Sequence, residues 1–289
     1  MNENKHGDTE TRSLERGREI LIFSLFSVTP CLCGFPRFCS AKDKFEGENM
    51  KDDQDAFGMA LYDYVQGNND CEIIIERDDG YIDVEDKRVY FLESKDWHHI
   101  HREAMRHVNG RVLDIGCGAG RHSLYLQDIG FDVVGIDISP LAVETCRLRG
   151  LKDAKVVSIH EADIELGRFD TILMLGNNFG LFGSYSRAKS LLKKFHDITF
   201  DHARIITETN DIYQTTNPLH LEYQERNRKR KRMSGQIRLR ARYKKYSTLW
   251  FDYLMVSKPE MEKIVNGTGW KISQYIESDP SHYIAIMDK

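Results

Sequence analysis

Hydrophobic and polar positions change period along the chain, and those changes divide it. Between 70 and 89 two short apolar runs, CEIIIER and YIDVE, flank Asp78-Asp79-Gly80, the residue types of a hairpin turn. Residues 56–65 repeat at helical spacing, as do 97–108, which Asp96 can cap and Asn109-Gly110 can end. From 111 to 209 the two periods alternate strictly. Strands are predicted at 111–115, 132–137, 155–159, 169–175 and 204–209, with helices at 119–128, 140–149 and 186–196. Ser139-Pro140 opens the second of these helices with a capping hydroxyl and a proline at the first helical position, and Gly150 closes it. Short β-rich runs alternating with helices imply an α/β fold with a doubly wound, mostly parallel sheet.

The last third breaks that rhythm. Residues 210–235 are polar and aperiodic and read as irregular. Residues 236–246 then alternate Ile237, Leu239, Ala241 and Tyr243 against Arg238, Arg240, Arg242 and Lys244, and STLWFDYLMV follows at 247–256. The two runs are expected to pair as an inserted β-hairpin with one cationic face. A helix opening at Lys258-Pro259-Glu260 and strands at 270–277 and 282–288 end the chain, so an antiparallel closing strand is expected.

Composition narrows the class. With 40% hydrophobic and 30% charged residues the chain is neither disordered, collagen-like nor a disulfide framework. The six cysteines at 31, 33, 39, 71, 117 and 146 include no CxxC pair, which speaks against a zinc site. His99 and Glu103 stand four apart on a predicted helix, but no third ligand follows at a fixed spacing. A solvated polar face is the better reading, and no metal is assigned. The apolar stretch near 20–26 is too short to span a bilayer. It resembles a signal-peptide core behind Arg12, Arg16 and Arg18, yet Glu10, Glu15 and Glu19 spoil the basic flank. Residues 1–49 are therefore expected to be a low-information leader, with Met50 an alternative start, and the remainder to be a cytoplasmic enzyme without membrane contact.

The chemistry concentrates at VLDIGCGAGRH, 112–122. A strand delivers Asp114 and a loop of Gly116, Cys117, Gly118 and Gly120 to the carboxyl edge of the sheet, where open α/β sheets bind ligands. Glycine suits such a loop because a Cβ would block approach of a ligand to the backbone. Asp137, which ends the next strand 17 residues after Gly120, can accept from both hydroxyls of a ribose; the alternative is a strand-end acid satisfied by turn amides. A dinucleotide fingerprint would need a glycine where Arg121 stands.

The pattern D-x-G-x-G-x-G instead resembles motif I of the class I S-adenosylmethionine-dependent methyltransferases, and VVGIDIS at 133–139 resembles the segment that follows it. Glu161-Ala162-Asp163-Ile164 looks like the family's acidic loop after the third strand, and FDTILMLGNN at 169–178 like its fourth strand and active-site loop. The resemblance covers roughly 97–209. It implies S-adenosylmethionine as cofactor and a seven-stranded Rossmann-like sheet with an antiparallel closing strand. Asp114 would meet the cofactor's amino group, Gly116, Gly118 and Gly120 its methionine part and ribose, and Asp137 the ribose hydroxyls, with Cys117 and Gly176 also in the cofactor site. Asp163 would meet the adenine amine, with Ile138 and Ile164 packing on the ring, although an acid in a loop is also common by itself. The chain then divides into the leader (1–49), an N-terminal cap (50–109), a donor-binding core (110–209), a substrate-selecting insertion (210–256) and closing elements (257–289).

The motif identifies the donor and not the acceptor. Asn177 and Asn178 are candidates to orient a substrate, or simply turn formers; Trp97, Arg238 and Arg240 are further candidates. No catalytic base is assigned. The formal charge of −4 hides a segregation: 226–245 carries eleven Lys and Arg and no acid, which leaves 30 basic against 45 acidic residues elsewhere, a balance of −15. Either that strip receives an anion or RNA, or it is solubilising charge complementary to the acidic body. The expectation is a methyltransferase acting on a small acceptor, with an anion among the candidates. The alternatives are an RNA or protein methyltransferase docking on 226–245, and a cofactor-binding protein without catalysis.

Overall fold

The computed structural model describes residues 51–289, so the leader lies outside the described residues. The chain begins with α1 (Ala56–Val65), β1 (Ile73–Arg77), β2 (Ile82–Glu85) and α2 (His99–Met105). The alternating stretch follows: β3 (Val112–Ile115), α3 (Arg121–Asp128), β4 (Val133–Asp137), α4 (Pro140–Leu148), β5 (Ala154–Val156), β6 (Phe169–Met174), α5 (Tyr185–Asp197) and β7 (Thr199–Asn210). It ends with α6 (Pro218–Lys229), β8 (Gln236–Tyr243), β9 (Tyr246–Ser247), β10 (Phe251–Leu254), α7 (Lys258–Val265), β11 (Lys271–Glu277) and β12 (His282–Asp288).

Seven strands form the main sheet in the order β5-β4-β3-β6-β7-β12-β11. β3 to β7 run parallel to their neighbours, and β12 is antiparallel to both β7 and β11, as the terminal pattern predicts. The central strands are buried on both faces, and their Val, Ile and Leu side chains continue into one core with Phe179, Phe182, Leu192 and Phe195. Truncating one of these, Ile136 for example, costs about 2–5 kcal/mol.

Two expectations need correction. Residues 210–235 are not irregular, because α6 occupies half of them. Asn217 caps it by accepting from the Leu219 amide at 3.0 Å, and Pro218 takes the first position. Its buried positions are His220, Tyr223, Gln224 and Asn227, spaced as one helical face but filled with polar side chains. Tyr223 donates to Asp78 (2.6 Å), Gln224 to the Ile212 carbonyl (2.8 Å) and Asn227 to the Gln236 carbonyl (2.8 Å), so hydrogen bonds replace the apolar stripe. The hairpin at 236–256 does form, but β8 also pairs with β1, giving a second, antiparallel sheet in the order β10-β8-β1-β2 with β9 off β8. Segments 50–109 and 210–256 thus share one sheet.

That sheet pairs part of the cationic strip. Arg240 stands opposite Glu76 and Arg238 opposite Asp252 in register. Arg240 pairs with Glu76 at 2.8 Å, Arg242 with Glu76 at 3.3 Å, Arg232 with Asp252 at 2.9 Å, Arg226 with Asp78 at 2.9 Å and Lys244 with Asp63 at 2.6 Å. Opposite charges facing across strands stabilise the pairing modestly. The small sheet and α1 are tied to the carboxyl ends of the parallel strands by contacts of Asp55 and Tyr253, among others. Asp55, capping α1, accepts from Ser139 Oγ (2.7 Å) and the Leu141 amide (3.1 Å) at the start of α4. Tyr253 of β10 covers Gly180, where a Cβ would come within 2.0 Å of the ring, and donates its hydroxyl to the Asn177 carbonyl.

Candidate active site at the carboxyl edge of the sheet

The loop after β3 folds back onto β4. The Gly116 and Cys117 amides both donate to the Ile136 carbonyl, at 2.9 and 3.0 Å, and the Gly118 amide donates to Asp137 Oδ2 at 3.0 Å. Asp137 Oδ1 accepts from the Ser139 amide at 2.9 Å. Each oxygen therefore keeps acceptor capacity while the amides fix its direction. Burial pushes the Asp137 carboxyl up and these amides oppose it. Gly118 has φ +57, and the nearest atoms to a Cβ there are ring carbon Cδ1 of Tyr90 and Leu61 Cδ1, 3.8 and 3.9 Å away. Asp114, buried beneath the loop, accepts from Ser123 Oγ at 2.5 Å, and burial pushes its carboxyl up to about 6. Cys117 is buried with its thiol 3.8 Å from that of Cys146, and Gly120 packs 3.0 Å from Cys146 Sγ measured from the Cβ it lacks. Ile138 and Ile164 are 52% and 54% exposed, apolar surface left free at the ends of β4 and of the loop after β5. Asp163 caps the turn Ile164–Leu166 through the Glu165 amide at 3.0 Å.

After β6, Gly176 (φ +76) borders open space and donates its amide to Glu208 Oε2 at 2.5 Å. Asn177 adopts φ +61, a strained value for a residue with a side chain, and its buried Oδ1 has no hydrogen-bond partner. Asn178 donates to the Ile115 and Gly116 carbonyls, both at 2.9 Å, and so ties the glycine loop to this turn.

Facing these loops, the second sheet and its flanks contribute Glu85, Tyr90 and Tyr253. Tyr90 donates to Glu85 at 3.1 Å. Burial pushes Glu85 up to about 7, with the Tyr90 hydrogen bond opposing and Asp83 and Asp86 adding to the rise. Arg121, opening α3, donates to the Val89 carbonyl at 2.7 Å and lies among Glu208, Tyr90, Asp114 and Glu85. Burial lowers its basicity and raises that of the Tyr253 phenolate.

A third group joins α2, β7 and β12. His101 Nε2 lies 3.1 Å from Glu208 Oε2 and His282 Nε2 2.5 Å from Glu208 Oε1. Burial alone would raise the Glu208 carboxyl, but His101 and His282 hold it well below the usual range.

The structure thus brings together Asp114, Gly116, Cys117, Gly118, Gly120, Asp137, Gly176, Asn177 and Asn178. It does not bring Trp97 with them: that indole is buried, donates to the Leu92 carbonyl at 2.8 Å and packs on His122 and Tyr125. Arg238 and Arg240 are engaged in the charge pairs of the second sheet. Sequence reading missed Glu85, Tyr90, His101, Arg121, Glu208, Tyr253 and His282. Only Arg121 lies within the motif; the other six come from six further elements or turns and carry no common spacing.

Comparison with known proteins bears on the fold and on the segment that carries the glycine loop. A family model described as a methyltransferase domain matches residues 112–199. A glycine/sarcosine N-methyltransferase of Halorhodospira halochloris is 31% identical over 107 residues, 35% of this chain, and the match spans only 40% of that protein. An uncharacterized methyltransferase of Schizosaccharomyces pombe is 30% identical over 110 residues, which are 36% of this chain and 76% of that protein. Among solved structures, an S-adenosylmethionine-dependent methyltransferase from Bacteroides fragilis, in complex with S-adenosyl-L-homocysteine, superposes with a TM-score of 0.72. It is 26% identical, and the match covers 83% of this chain and 97% of that one.

Proposed function

Because the chain belongs to the class I S-adenosylmethionine-dependent methyltransferases, we propose that it transfers a methyl group from that cofactor to a small-molecule acceptor. The residues of the donor side fit the cofactor. Asp114 offers a buried carboxylate for an ammonium group, Asp137 offers free lone pairs for two hydroxyls, Gly118 puts no Cβ between a ligand and the backbone, and Ile138 and Ile164 offer exposed apolar surface for a flat ring. When bound, the cofactor supplies a sulfonium whose methyl group is already activated for displacement. The protein then has to hold a nucleophile in line and exclude water.

The observation that carries the acceptor class is the cover formed by the second sheet. Tyr90 and Tyr253 close over the glycine loop and the turn after β6, and Glu85, Arg121 and Glu208 lie among them. Such a lined, covered site suits a small polar molecule and leaves little room for a folded RNA or protein segment. The strip 226–245 supports the same reading, because ion pairs with Glu76, Asp78, Asp252 and Asp63 engage charges that a polyanion would need. An anionic acceptor would have Arg121 as its partner. An amine would find Glu85, able to take up a proton near neutral pH. The relatives that act on glycine and sarcosine make a small amine the first class to try.

Purified protein is incubated with methyl-labelled S-adenosylmethionine and, separately, with small-molecule, RNA and protein fractions. Label is expected in a product of the small-molecule fraction. Label confined to RNA or protein would overturn the acceptor class, and no labelled product in any fraction would favour a binding protein without catalysis.

A further inference from the structure

We propose that His101, Glu208 and His282 form a binding site for a divalent transition-metal ion of the zinc type at the acceptor side of the cleft. Among the described residues they are the one group of three such side chains whose ligand atoms converge, all within 4.8 Å of one another. They come from α2, β7 and β12, elements with no local reason to meet, and each ring presents Nε2 to a different oxygen of one carboxylate. Two imidazoles and a carboxylate are a donor set typical of zinc and related ions with an open position. Metal–ligand distances of roughly 2.0–2.2 Å in a tetrahedron set ligand atoms about 3.4 Å apart. A pair as far apart as 4.8 Å must therefore close by about 1.4 Å and the 2.5 Å His282–Glu208 pair must open by about 0.9 Å, movements within reach of side-chain torsions.

The surroundings suit ligation. For both Nε2 atoms to face a metal, each ring must carry its proton on Nδ1. Acceptors for those protons are in place: His122 Nε2 lies 3.3 Å from His101 Nδ1, and Ser278 Oγ lies 3.4 Å from His282 Nδ1. Arg121 Nη2, 3.4 Å from His101 Nδ1, gives up that contact when the ring donates to His122, while Arg121 Nη1 keeps its bond to the Val89 carbonyl. The Gly176 amide holds Glu208 in direction. Such outer partners orient ligating histidines and carboxylates. Glu208 is nearly fully buried while His282 is about a quarter exposed, so an ion has an approach from the His282 side. Gly176, whose amide meets Glu208, borders open space, and the open coordination position would hold the oxygen or nitrogen of an acceptor. That last placement rests on the proposed function; the ion site itself does not.

The test is a titration of cobalt(II), as a spectroscopic substitute for zinc, into the full chain without S-adenosylmethionine. One equivalent is expected to bind with visible absorption bands that zinc abolishes and magnesium does not. Glu208→Gln and His282→Ala are each expected to weaken binding by about 100-fold or more, whereas His98→Ala, an exposed neighbour of His282, leaves it within about threefold. Unaltered metal-free melting temperatures show that the variants fold; if Glu208→Gln does not, His282→Ala decides. No saturable cobalt binding overturns the site. Binding that survives loss of Glu208 or His282 but fails in His98→Ala also overturns it, by placing the ion on surface histidines. A melting shift with S-adenosylmethionine on the same preparation reports the donor reading separately, so either can fail alone.

Discussion

The sides of the site proposed to take the donor and the acceptor are built on different principles. The donor side is made almost entirely from 114–139: two strands, one loop and the start of a helix, with main-chain amides doing most of the positioning. The acceptor side is made from side chains at 85, 90, 101, 121, 208, 253 and 282, drawn from both sheets and their flanks. A backbone-built site is local in sequence and tolerant of its surroundings. One built from side chains exists only when distant elements dock, and can change its chemistry residue by residue while the donor side stays intact.

The largest expected effect lies on the donor side. Asp137→Ala removes the acceptor proposed for the ribose hydroxyls and the anchor of the Gly118 and Ser139 amides. At about 2 kcal/mol for each of two hydrogen bonds to a charged group, calorimetry should show S-adenosylmethionine affinity falling about 1,000-fold. Unchanged affinity would break the division between the two sides.

Next comes Glu85→Gln, on the acceptor side, which should leave donor affinity alone and change the pH dependence of stability. The folded protein holds the Glu85 proton more tightly than the unfolded chain, so the carboxyl costs stability as pH rises from 4.5 to about 7, with no further change above that. A shift of this size amounts to about 3 kcal/mol, and the glutamine variant should be more stable by that order at pH 8 and indistinguishable at pH 4. Denaturant melts at the two pH values read it. A difference that persists at pH 4 would mean that packing, not the carboxyl charge, is responsible.

The smallest effect is expected from Arg238, Arg240 and Arg242 changed together to Ala. These residues stabilise the second sheet through partly exposed pairs, so a loss of about 1–2 kcal/mol and a melting temperature a few degrees lower should follow. Affinity for a mixed RNA pool should not change with the substitution. A steep, salt-dependent loss would restore the strip as a docking surface.

The same division explains what could be read from the residues. The parallel sheet, its glycine loop and Asp137 were legible because period and spacing are local signals, and Ser139-Pro140 marks a helix start by its own chemistry. Helix α6 was not, because its buried face is polar and the apolar period that betrays a helix is missing. The cationic strip was legible as charge but not as paired charge, since Glu76 and Asp78 lie about 150 residues before their partners. Glu208 sat inside a correctly predicted strand, yet nothing at 204–209 shows that histidines at 101 and 282 will close on it.

Asp55 carries a last consequence, for the order of events on the ribosome. Its partner Ser139 is translated 84 residues later, and β1 waits longer still for β8, whose Arg242 lies 166 residues beyond Glu76. The strands from β3 to β7 can pair as they emerge and α1 can seat on α4 (Pro140–Leu148), while β1 and β2 lack their sheet partner until the chain has passed residue 243. The nascent protein therefore carries an amino-terminal hairpin without its sheet partner during much of its synthesis, and the donor half takes shape before the half that would choose what it modifies.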